Sequence, residues 1–443
     1  MKLAIPTMIS SLVMVIYNLS DTYFVGMIND PIQNAAVTLA APMLLAFNAV
    51  NNLFGVGSSS MMSRAMGRKD YDTVSRSSSF GFYSAVFCGI LFSAVYLFCR
   101  GGFLELLGAG ADTAAATAGY LKWTVGFGAV PAILNVVMAY LVRSEGATLH
   151  ASIGTMSGCL LNILLDPFFI LPWGLNMGAA GAGAATFLSN CAACIYFFVL
   201  LFVRRGKTNV CIHPSMFGFR KGIVLGVCGV GIPAAIQNIL NVTGMTILNH
   251  FTASYGSEAV AAMGIAQKVN MVPLYIAMGF SQGIMPLISY NYACKNIGRM
   301  KQTVKFSMKM SVSFMTVSML FYYFGSEFLV SLFMRNEMIV AYGSRFLRGL
   351  SFALPFLATD FLAVGIFTAC GMGSRTFVFA VLRKIVLEIP ALFVLDRLFP
   401  LYGLAYAQPT AELILSIAAV VVLTRFLKKL SNEISCNDGK QGA

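Results

Sequence analysis

Long apolar stretches alternate with short polar segments along the whole chain. Each stretch has about the 20 residues that an α-helix needs to cross the hydrocarbon core of a bilayer. None of them shows the apolar and polar alternation that is typical of an outer-membrane barrel. We therefore predict an all-α polytopic membrane protein with twelve transmembrane helices. The predicted spans are about 3–27, 36–61, 77–98, 117–141, 151–172, 177–203, 222–251, 258–287, 306–331, 345–368, 376–398 and 403–427.

The composition agrees with a membrane location. The chain is 58% hydrophobic and 11% charged, with a mean hydropathy of +0.78, whereas soluble domains carry about 25% charged residues. The first apolar stretch begins close to Met1, as a signal peptide does. It is too long for a signal peptide, contains Asp21 and lacks a small-residue cleavage site, so we interpret it as the first transmembrane helix.

The basic residues are distributed unevenly between the predicted loops. The net charge of +13 would suggest a nucleic-acid partner in a soluble protein, but with a cytoplasmic N-terminus the inner loops and tail hold 23 of the 30 Lys and Arg. This asymmetry follows the positive-inside rule. We predict a multi-pass protein of the bacterial inner (plasma) membrane with both termini cytoplasmic and no nucleic-acid partner. The inner positions are Lys2, 64–76, Arg143, 204–221, 295–309, 375–384 and 425–440; Arg100, Lys122, Arg335, Arg345, Arg348 and Arg397 fall outside, and Lys268 lies within a predicted span.

The second half of the chain repeats motifs of the first half. Ile5-Pro6 recurs as Ile232-Pro233, and SRAMGRKDYDTV (63–74) recurs as NYACKNIGRMKQTV (291–304). Each half holds six spans, an even number, so the halves are parallel repeats with the same orientation. We predict an N-terminal lobe at 1–203, a cytoplasmic linker at 204–221, a C-terminal lobe at 222–427 and a cytoplasmic tail at 428–443. Two such lobes around a central cavity suit alternating access by rocking.

Polar residues inside the predicted spans are the candidate functional residues. A charge at the centre of a transmembrane helix costs about 2.5–3.5 kcal/mol on insertion scales and normally has a function. In YNLSDTYFVG (17–26), the spacing places Tyr17, Asn18 and Asp21 on one face of the first helix. Met14 and Pro6 extend roughly the same side.

A second group of polar residues lies in the fifth span, LLNILLDPFFI (160–170). Asn162 and Asp166 are an i, i+4 pair, and Pro167 removes a backbone donor beside the carboxylate. With Asp21, the pair resembles a cation site that could take up a proton or, with amide and carbonyl oxygens, a sodium ion. A buried acid that merely ties two helices together is the structural alternative. The repeat partners Leu248 and Ile389 are apolar, which favours a functional role.

These motifs resemble the multidrug and toxic compound extrusion (MATE) family of efflux transporters. The resemblance covers essentially the whole chain. It is carried by the repeated Ile-Pro, YNLSDTYFVG, RSEG (143–146), LLNILLDPFFI, GAAGAGAAT (178–186), GFSQGIMPLISYNYACKN (279–296) and VSLFMRNE (330–337).

The resemblance implies export of cationic or amphipathic drugs or toxic metabolites, driven by inward proton or sodium flow. The sequence is most similar to the DinF-like prokaryotic branch, in which the N-terminal lobe holds the coupling acids. The residues that the resemblance assigns to cation coupling are Asp21, Tyr17, Asn18, Asn162, Asp166 and Thr186, with Pro6 in a gating role. No cofactor beyond the coupling ion, and no partner protein, is expected.

The second half departs from the NorM-like branch, which carries its acids there. Asn241 takes the place of a helix 7 acid, whereas Asp360 stands where that branch has one, opposite Asn135 in the repeat. Lys268, beside Gln267, is either a cavity-lining cation that pairs with Asp360 or a side chain that snorkels to the interface. We therefore place all five residues, with Met14, among the candidates for a cavity or substrate role. Glu388 is explained by an ion pair with Lys384, four residues earlier.

Several other classes of protein fit less well. GAAGAGAAT lacks a G-K-[ST] sequence, so close helix packing explains it better than a phosphate loop. Cys191 and Cys194 form a single CxxC that small packing residues also explain. A lipid-linked saccharide flippase remains the nearer alternative, although Lys268 is almost the only basic residue at membrane depth. An intramembrane enzyme is the remoter alternative, because the serines of GVGSSS (55–60) have no evident histidine partner. We expect a transporter that is a monomer and not an enzyme.

Overall fold

A computed structural model describes residues 3–28, 30–107, 110–333 and 336–441 of the chain. Within these ranges the secondary structure is helical throughout and includes no strand. Lys2 and Arg335, which enter the charge count above, lie outside the described residues. The chain divides into two compact units, Met1–Ala235 and Ile236–Ala443, which are described separately.

The first unit contains ten complete α-helices and the beginning of an eleventh among its described residues. These are α1 (Ala4–Met27), α2 (Pro31–Leu39), α3 (Ala41–Val50), α4 (Gly57–Gly67), α5 (Tyr71–Phe98), α6 (Arg100–Leu106), α7 (Ala111–Leu121), α8 (Ala129–Ser144), α9 (Thr148–Ile170), α10 (Gly178–Val203) and the first part of α11 (Lys221–Ala253). Two π-helical turns, Asn51–Val56 and Lys122–Phe127, connect α3 to α4 and α7 to α8.

The second unit takes the remainder of α11 and continues through seven more α-helices in its described part. These are α12 (Ser257–Ala293), α13 (Ile297–Ser331), α14 (Glu337–Ser351), α15 (Leu354–Ala369), α16 (Gly373–Val381), α17 (Ile389–Leu398) and α18 (Leu404–Gln441). A π-helical turn, Leu382–Glu388, joins α16 to α17. Pro390 follows this turn at the second position of α17, where a missing N–H costs no helical hydrogen bond.

The twelve predicted spans all coincide with described helices. Eight helical stretches are long and apolar enough to cross a membrane, and two bent pairs raise the number to ten. The bent pairs are α7 with α8, at 51°, and α14 with α15, at 45°. They correspond to the fourth and tenth predicted spans, so the repeats bend at the same place. The other two spans are α13 and the stretch from α16 to α17, whose charged residues lower their hydropathy.

Helix α8 forms the centre of the first unit, where it packs against α4, α5, α9 and α10. Its Ile133, Val137 and Met138 are fully buried, as expected for a helix that is apolar on all sides. Small residues allow the neighbouring backbones to approach closely. A Cβ added at Gly89 of α5 would lie 2.8 Å from the Cα of Val130. Packing of this kind is the main attraction between helices in lipid.

Helix α15 has the corresponding position in the second unit, between α12, α13 and α18. Most of its residues are buried, including Leu357, Leu362 and Phe367. Lipid tails are as apolar as these side chains, so moving the side chains from lipid into the protein gains little free energy from the hydrophobic effect. The tight packing of the side chains therefore stabilises the unit.

The structure reproduces the internal repeat at the level of the backbone. Lys69 and Lys295, in the repeated polar motif, share a φ of 59°. Asp70 and Asn296 follow them and cap α5 and α13 by accepting a bond from the N–H three residues later. Two further equivalent pairs have positive φ: Gly146 and Gly371, at 85° and 79°, and Asn176 and Leu401, at 51° and 67°. Turns with the same geometry therefore close the same helices in both halves.

Side chains of α5 hold the segment predicted as the interlobe linker. The hydroxyls of Ser78 and Ser79 donate to the carbonyl of Cys211 at 2.9 and 2.8 Å, and that of Tyr83 donates to the carbonyl of Ile212 at 2.9 Å. The N–H of Cys211 donates back to Ser78 at 3.0 Å. These bonds satisfy the backbone of an extended segment that lacks a partner strand.

Glu145 of the RSEG motif fixes the preceding part of the linker. Its carboxylate accepts from the Thr208 hydroxyl at 3.0 and 3.1 Å and from the N–H of Asn209 at 2.8 Å. The motif therefore has a structural task at the end of α8, where it ties the loop between the two repeats to the first unit.

The boundary between the compact units falls inside α11, between Ala235 and Ile236, and the start of the second lobe at residue 222 stays a prediction. The first half of α11 packs on the first unit, since Val227 contacts Phe80 and Gly231 lies against the backbone of Leu53. The helix thus begins on one unit and ends in the other.

Gly231 provides a test of this close contact. We expect Gly231→Ala to lower the stability of the detergent-solubilised protein by about 1–3 kcal/mol, because the new Cβ would overlap the carbonyl of Leu53. The measurement is the thermal unfolding midpoint.

Gly229→Ala is the matched control in the same helix. A Cβ there meets nothing within 4 Å, so this change should be neutral or stabilising by up to about 1 kcal/mol through helix propensity. Equal effects of the two substitutions would contradict the proposed contact.

Candidate functional site

Asp166 and Asn162 lie one turn apart on the side of α9 that faces the interior of the first unit. Both are buried, at 0% and 1% exposure. In the amide orientation that satisfies its neighbours, Asn162 donates to the Asp166 carboxylate at 2.8 Å. It accepts from the backbone N–H and the hydroxyl of Thr186 in α10, at 3.1 and 3.3 Å. The three predicted residues thus form one hydrogen-bonded chain across two helices, and the predicted register of Thr186 agrees with the structure.

Helix α1 brings Asp21 and Tyr17 to the same region. Both side chains are half-buried, and the carboxylates of Asp21 and Asp166 are close enough for their charges to interact. The Tyr17 hydroxyl lies within electrostatic range of both acids. The two candidate carboxylates are therefore neighbours in space, although 145 residues separate Asp21 from Asp166 in the sequence.

The packing of α1 along α9 is what brings these two distant parts of the sequence together. The hydroxyls of Ser10 and Thr155 share a hydrogen bond of 2.8 Å between the two helices. On a neighbouring face of α9, a Cβ added at Gly158 would lie 3.2 Å from the Cβ of Ala193 in α10. Small residues therefore let α9 sit close to its neighbours, and the carboxylates meet in the space between them.

Tyr120 of α7 completes the group, and sequence reasoning missed it. Its side chain is buried, and its hydroxyl interacts electrostatically with both Asp21 and Asp166. A Cβ added at Gly183 in the small-residue run would lie 2.9 Å from the carbonyl of Tyr120, so the run gives α7 room to approach α10. No sequence signal marked this residue, because a single tyrosine near the start of an apolar span is common.

Asn18 and Met14 are exposed, whereas Tyr17 and Asp21 are half-buried. The Asn18 amide donates to the carbonyl of Met14 at 2.8 Å, within α1. A coupling role for Asn18 and a cavity role for Met14 stay predictions. Pro6 lies in the first turn of α1, and its gating role stays a prediction.

Asn135 lies deep in the first unit with polar partners of its own. Its amide donates to Asn190 in α10 at 2.9 Å and to the carbonyl of Pro131 at 2.9 Å. Asn190 stands one turn after Thr186 on α10, so the polar residues continue along that helix. The same Pro131 carbonyl accepts from the thiol of Cys194 at 3.4 Å, which gives one member of the CxxC pair a packing role.

Asp360 is buried in the second unit and pairs with Arg383. Of the two alternatives considered for Lys268, the pairing with Asp360 is therefore not observed, because Arg383 reaches Asp360 from the π-helical turn Leu382–Glu388. The same guanidinium contacts Glu412 of α18 at 3.1 Å and lies 4.9 Å from the ring centre of Phe361. Sequence reasoning missed this cluster, since Arg383 was counted only as an inner basic residue.

The predicted ion pair between Lys384 and Glu388 is confirmed, at 2.7 Å. Both residues are buried, at 8% and 5% exposure, and they belong to the same π-helical turn as Arg383. A π-helical turn widens the backbone spacing and is frequent at functional sites. Here it directs two cations and one acid towards the interior of the unit.

The other candidates of the second half are more exposed. Lys268 is exposed and makes no ion pair with a described residue. Gln267 donates to Asn249 at 3.3 Å, and Asn241 is half-buried in α11. A cavity or substrate role for these three residues stays a prediction.

The donor atoms around Asp166 suit a proton or a single hard cation. The Asp21 carboxylate and the hydroxyls of Tyr17 and Tyr120 supply oxygens near it, whereas the Asn162 amide oxygen is already bonded to Thr186. Such oxygens are among the ligands that hard cations prefer. No group of three or more His, Cys, Asp and Glu side chains that could hold a metal ion occurs in the part of the chain that the structure describes.

Comparison with known proteins gives one consistent result. The MatE family model matches residues 6–168 and 233–394, one copy in each half. Among curated proteins, the chain is 33% identical over 425 residues to the multidrug export protein MepA of Staphylococcus saprophyticus, covering 96% of this chain and 92% of the relative. It is 32% identical over 438 residues to MepA of Staphylococcus aureus, covering 98% and 95%.

Solved structures share the fold. One, described as the outward-facing conformation of a multidrug resistance MATE family transporter of the MOP superfamily, superimposes with a TM-score of 0.91 at 22% identity and covers 97% of this chain and 95% of its own. A MOP superfamily transporter from Pyrococcus furiosus gives a TM-score of 0.89 at 22% identity, with the same coverage. The all-α architecture that the sequence predicted is thus confirmed. The assignment to the DinF-like branch stays a prediction.

The buried cluster around Arg383 can be tested by stability. We expect Arg383→Met to destabilise the protein by about 3–5 kcal/mol, because Asp360 and Glu412 would stay buried without their cation. The measurement is thermal unfolding in detergent, and the triple variant with Asp360→Asn and Glu412→Gln should recover much of the loss.

Arg348→Met is the matched control, since Arg348 pairs with the exposed Glu327 at 2.9 Å. An exposed pair of this kind contributes about 0–1 kcal/mol. If both arginine substitutions had the same small effect, the buried cluster would not be a major stabilising element.

Proposed function

This chain belongs to the MatE family of membrane transporters, and from that premise we propose that it is a secondary antiporter that exports drugs. The substrates are small cationic or amphipathic organic compounds or toxic metabolites, and the driving force is the inward flow of protons or sodium ions. The names of the MepA relatives, which are multidrug export proteins over nearly the full length of this chain, support export over the flippase and enzyme alternatives.

The observation that carries the coupling proposal is the pairing of two acids in the first unit without a basic partner. Among the described residues, no Lys or Arg lies within ion-pair distance of Asp21 or Asp166. Two neighbouring carboxylates in a low-dielectric interior repel each other and require a counter-charge or a proton. A proton or a sodium ion from outside is the simplest source, and this is what couples the site to an ion gradient.

Asn162, Thr186 and the two tyrosines have supporting tasks in this proposal. Asn162 and Thr186 hold the Asp166 carboxylate in one orientation through the hydrogen bonds described above. Tyr17 and Tyr120 offer hydroxyls close to both acids. Uptake of the ion removes the repulsion between Asp21 on α1 and Asp166 on α9. The packing of α1 against α9 therefore differs between the loaded and the empty site.

The protein is a multi-pass membrane protein, and we propose the bacterial plasma membrane as its location, with both termini cytoplasmic. The support is the excess of Lys and Arg in the predicted inner loops. We also propose that it acts as a monomer without a partner protein. The rocking of two lobes that the internal repeat suggests is the proposed means of alternating access.

Neutral substitutions of the two acids test the coupling. We expect Asp166→Asn and Asp21→Asn each to abolish gradient-driven efflux of a fluorescent cationic drug from cells, because neither variant can exchange a proton or cation at that position. Asn is similar in size to Asp, so the fold should be retained, which thermal unfolding would check.

Asp112→Asn is the control for these variants, because Asp112 is an exposed acid of the same unit in the first turn of α7. It should export at the level of the unmodified protein. Full efflux by both Asp166→Asn and Asp21→Asn at normal expression would overturn the coupling proposal.

The coupling ion can be identified in proteoliposomes that hold the purified protein and a fluorescent cation. A proton gradient and a sodium gradient are imposed separately, and the gradient that drives transport identifies the ion. Transport under neither gradient, together with binding of a lipid-linked saccharide, would favour the flippase alternative instead.

A further inference from the structure

A surface cleft of about 580 Å³ lies on the first unit, between the first turn of α5, the last turns of α10 and the linker. It is far along α10 from Thr186, since it lies at the other end of that helix, so it is separate from the coupling site. Its floor includes Val74 and Val210, both buried. Neither the family match nor the coupling proposal assigns a function to this cleft.

One wall of the cleft is apolar and belongs to the surface of a membrane-spanning helix. Phe198, Leu201 and Phe202 line it from α10. Phe198 and Phe202 are 39% and 76% exposed, at the end of a span that is apolar enough to cross a bilayer. Aromatic side chains at such a position contact acyl chains close to the headgroups. The apolar wall therefore continues into the lipid-facing surface.

The opposite wall is polar and basic. Arg205, Tyr71 and Asn209 line it, and the side chains of these three residues make no hydrogen bond or ion pair with a described residue. Arg205 belongs to a short turn with Arg204 and Lys207, which likewise have no acidic partner in the described part of the chain. An anion in the cleft would meet at least one free guanidinium.

The acids near the cleft are already engaged. Glu145 accepts from the hydroxyl of Thr208 and from the backbone N–H of Asn209, both in the linker. Asp70 caps α5 by accepting from the N–H of Thr73 at 3.1 Å. Hydrogen bonding to the Thr73 side chain, and then to its N–H, holds the pKa of the Asp70 carboxyl below its usual range. Asp72 pairs with Arg76 at 2.7 Å. The basic turn at 204–207 is therefore not neutralised by the protein itself.

The walls of the cleft are fixed before any ligand arrives. The linker that forms one wall is bonded to Ser78, Ser79 and Tyr83 of α5, as described above. A preformed site loses little conformational entropy on binding. A ligand that fits it must be anionic at one end and apolar at the other.

We propose that this cleft binds one anionic phospholipid of the cytoplasmic leaflet. The phosphate and headgroup lie against Arg205, Tyr71 and Asn209, and the acyl chains lie along Phe198 and Phe202. A water-soluble phosphate would leave the aromatic wall uncovered, and a zwitterionic lipid would not complement the basic turn. The inference rests on the proposed orientation, in which the linker is cytoplasmic, but it does not depend on drug export.

Lipid binding by the purified full-length protein in detergent tests the proposal. We expect phosphatidylglycerol to bind more tightly than phosphatidylcholine with the same acyl chains, measured by native mass spectrometry and by the rise in unfolding temperature. Arg205→Gln should weaken phosphatidylglycerol binding about five- to tenfold, since one basic residue near an anionic lipid contributes about 1 kcal/mol. Phe202→Asn should weaken the binding of both lipids.

Lys221→Gln is the matched control, because Lys221 is an exposed basic residue of the same linker that does not line the cleft. It should bind phosphatidylglycerol as the unmodified protein does. Inorganic phosphate at the same concentration should neither bind nor compete.

Three results would overturn the proposal. They are equal binding of the two lipids, equal effects of Arg205→Gln and Lys221→Gln, and binding of inorganic phosphate as strongly as of the lipid, which would assign the cleft to a soluble anion. Because the assay contains no drug and no ion gradient, its outcome is independent of the outcome of the efflux experiments.

Discussion

Hydrocarbon contains no water, so each polar group inside this helical bundle must find its partner within the protein or take up an ion. This constraint acts on every buried side chain described above. The two units meet it in different ways. In the first unit, Asp166 is held by Asn162 and Thr186 with no cation nearby. In the second, Asp360 and Glu412 share the guanidinium of Arg383.

The difference between the units follows the internal repeat closely. Ile389 stands at the repeat position of Asp166, yet Glu388 immediately precedes it and already has Lys384 as its partner. The repeat thus keeps an acid in the same span in both halves, but among the described residues only the second half supplies the counter-charge from the protein. A site that lacks its counter-charge can respond to an ion gradient, whereas a site that contains it is satisfied at all times. This contrast is the physical basis for our proposal that the coupling site lies in the first unit.

The loop between the repeats also finds hydrogen-bond partners within the protein. The hydroxyls of Ser78, Ser79 and Tyr83 donate to its backbone carbonyls. Glu145 secures the adjoining turn. The serines lie in a polar stretch of α5 that also holds Asp72 and Arg76, so the sequence did not single them out. Their partners lie about 130 residues later in the chain, beyond the reach of any local pattern.

The sequence by itself determined the features that depend on local spacing. The lengths of the apolar stretches predicted the twelve spans, and the repeated turn motifs predicted the two halves. The i, i+4 spacing predicted that Asn162 pairs with Asp166 and that Lys384 pairs with Glu388. Tertiary structure decided which distant helices meet and how each is rotated. It brought Tyr120 to the acids and gave Asp360 the partner Arg383 in place of Lys268. The reason is that helix periodicity fixes which residues share a face, whereas side-chain packing between helices fixes what that face contacts.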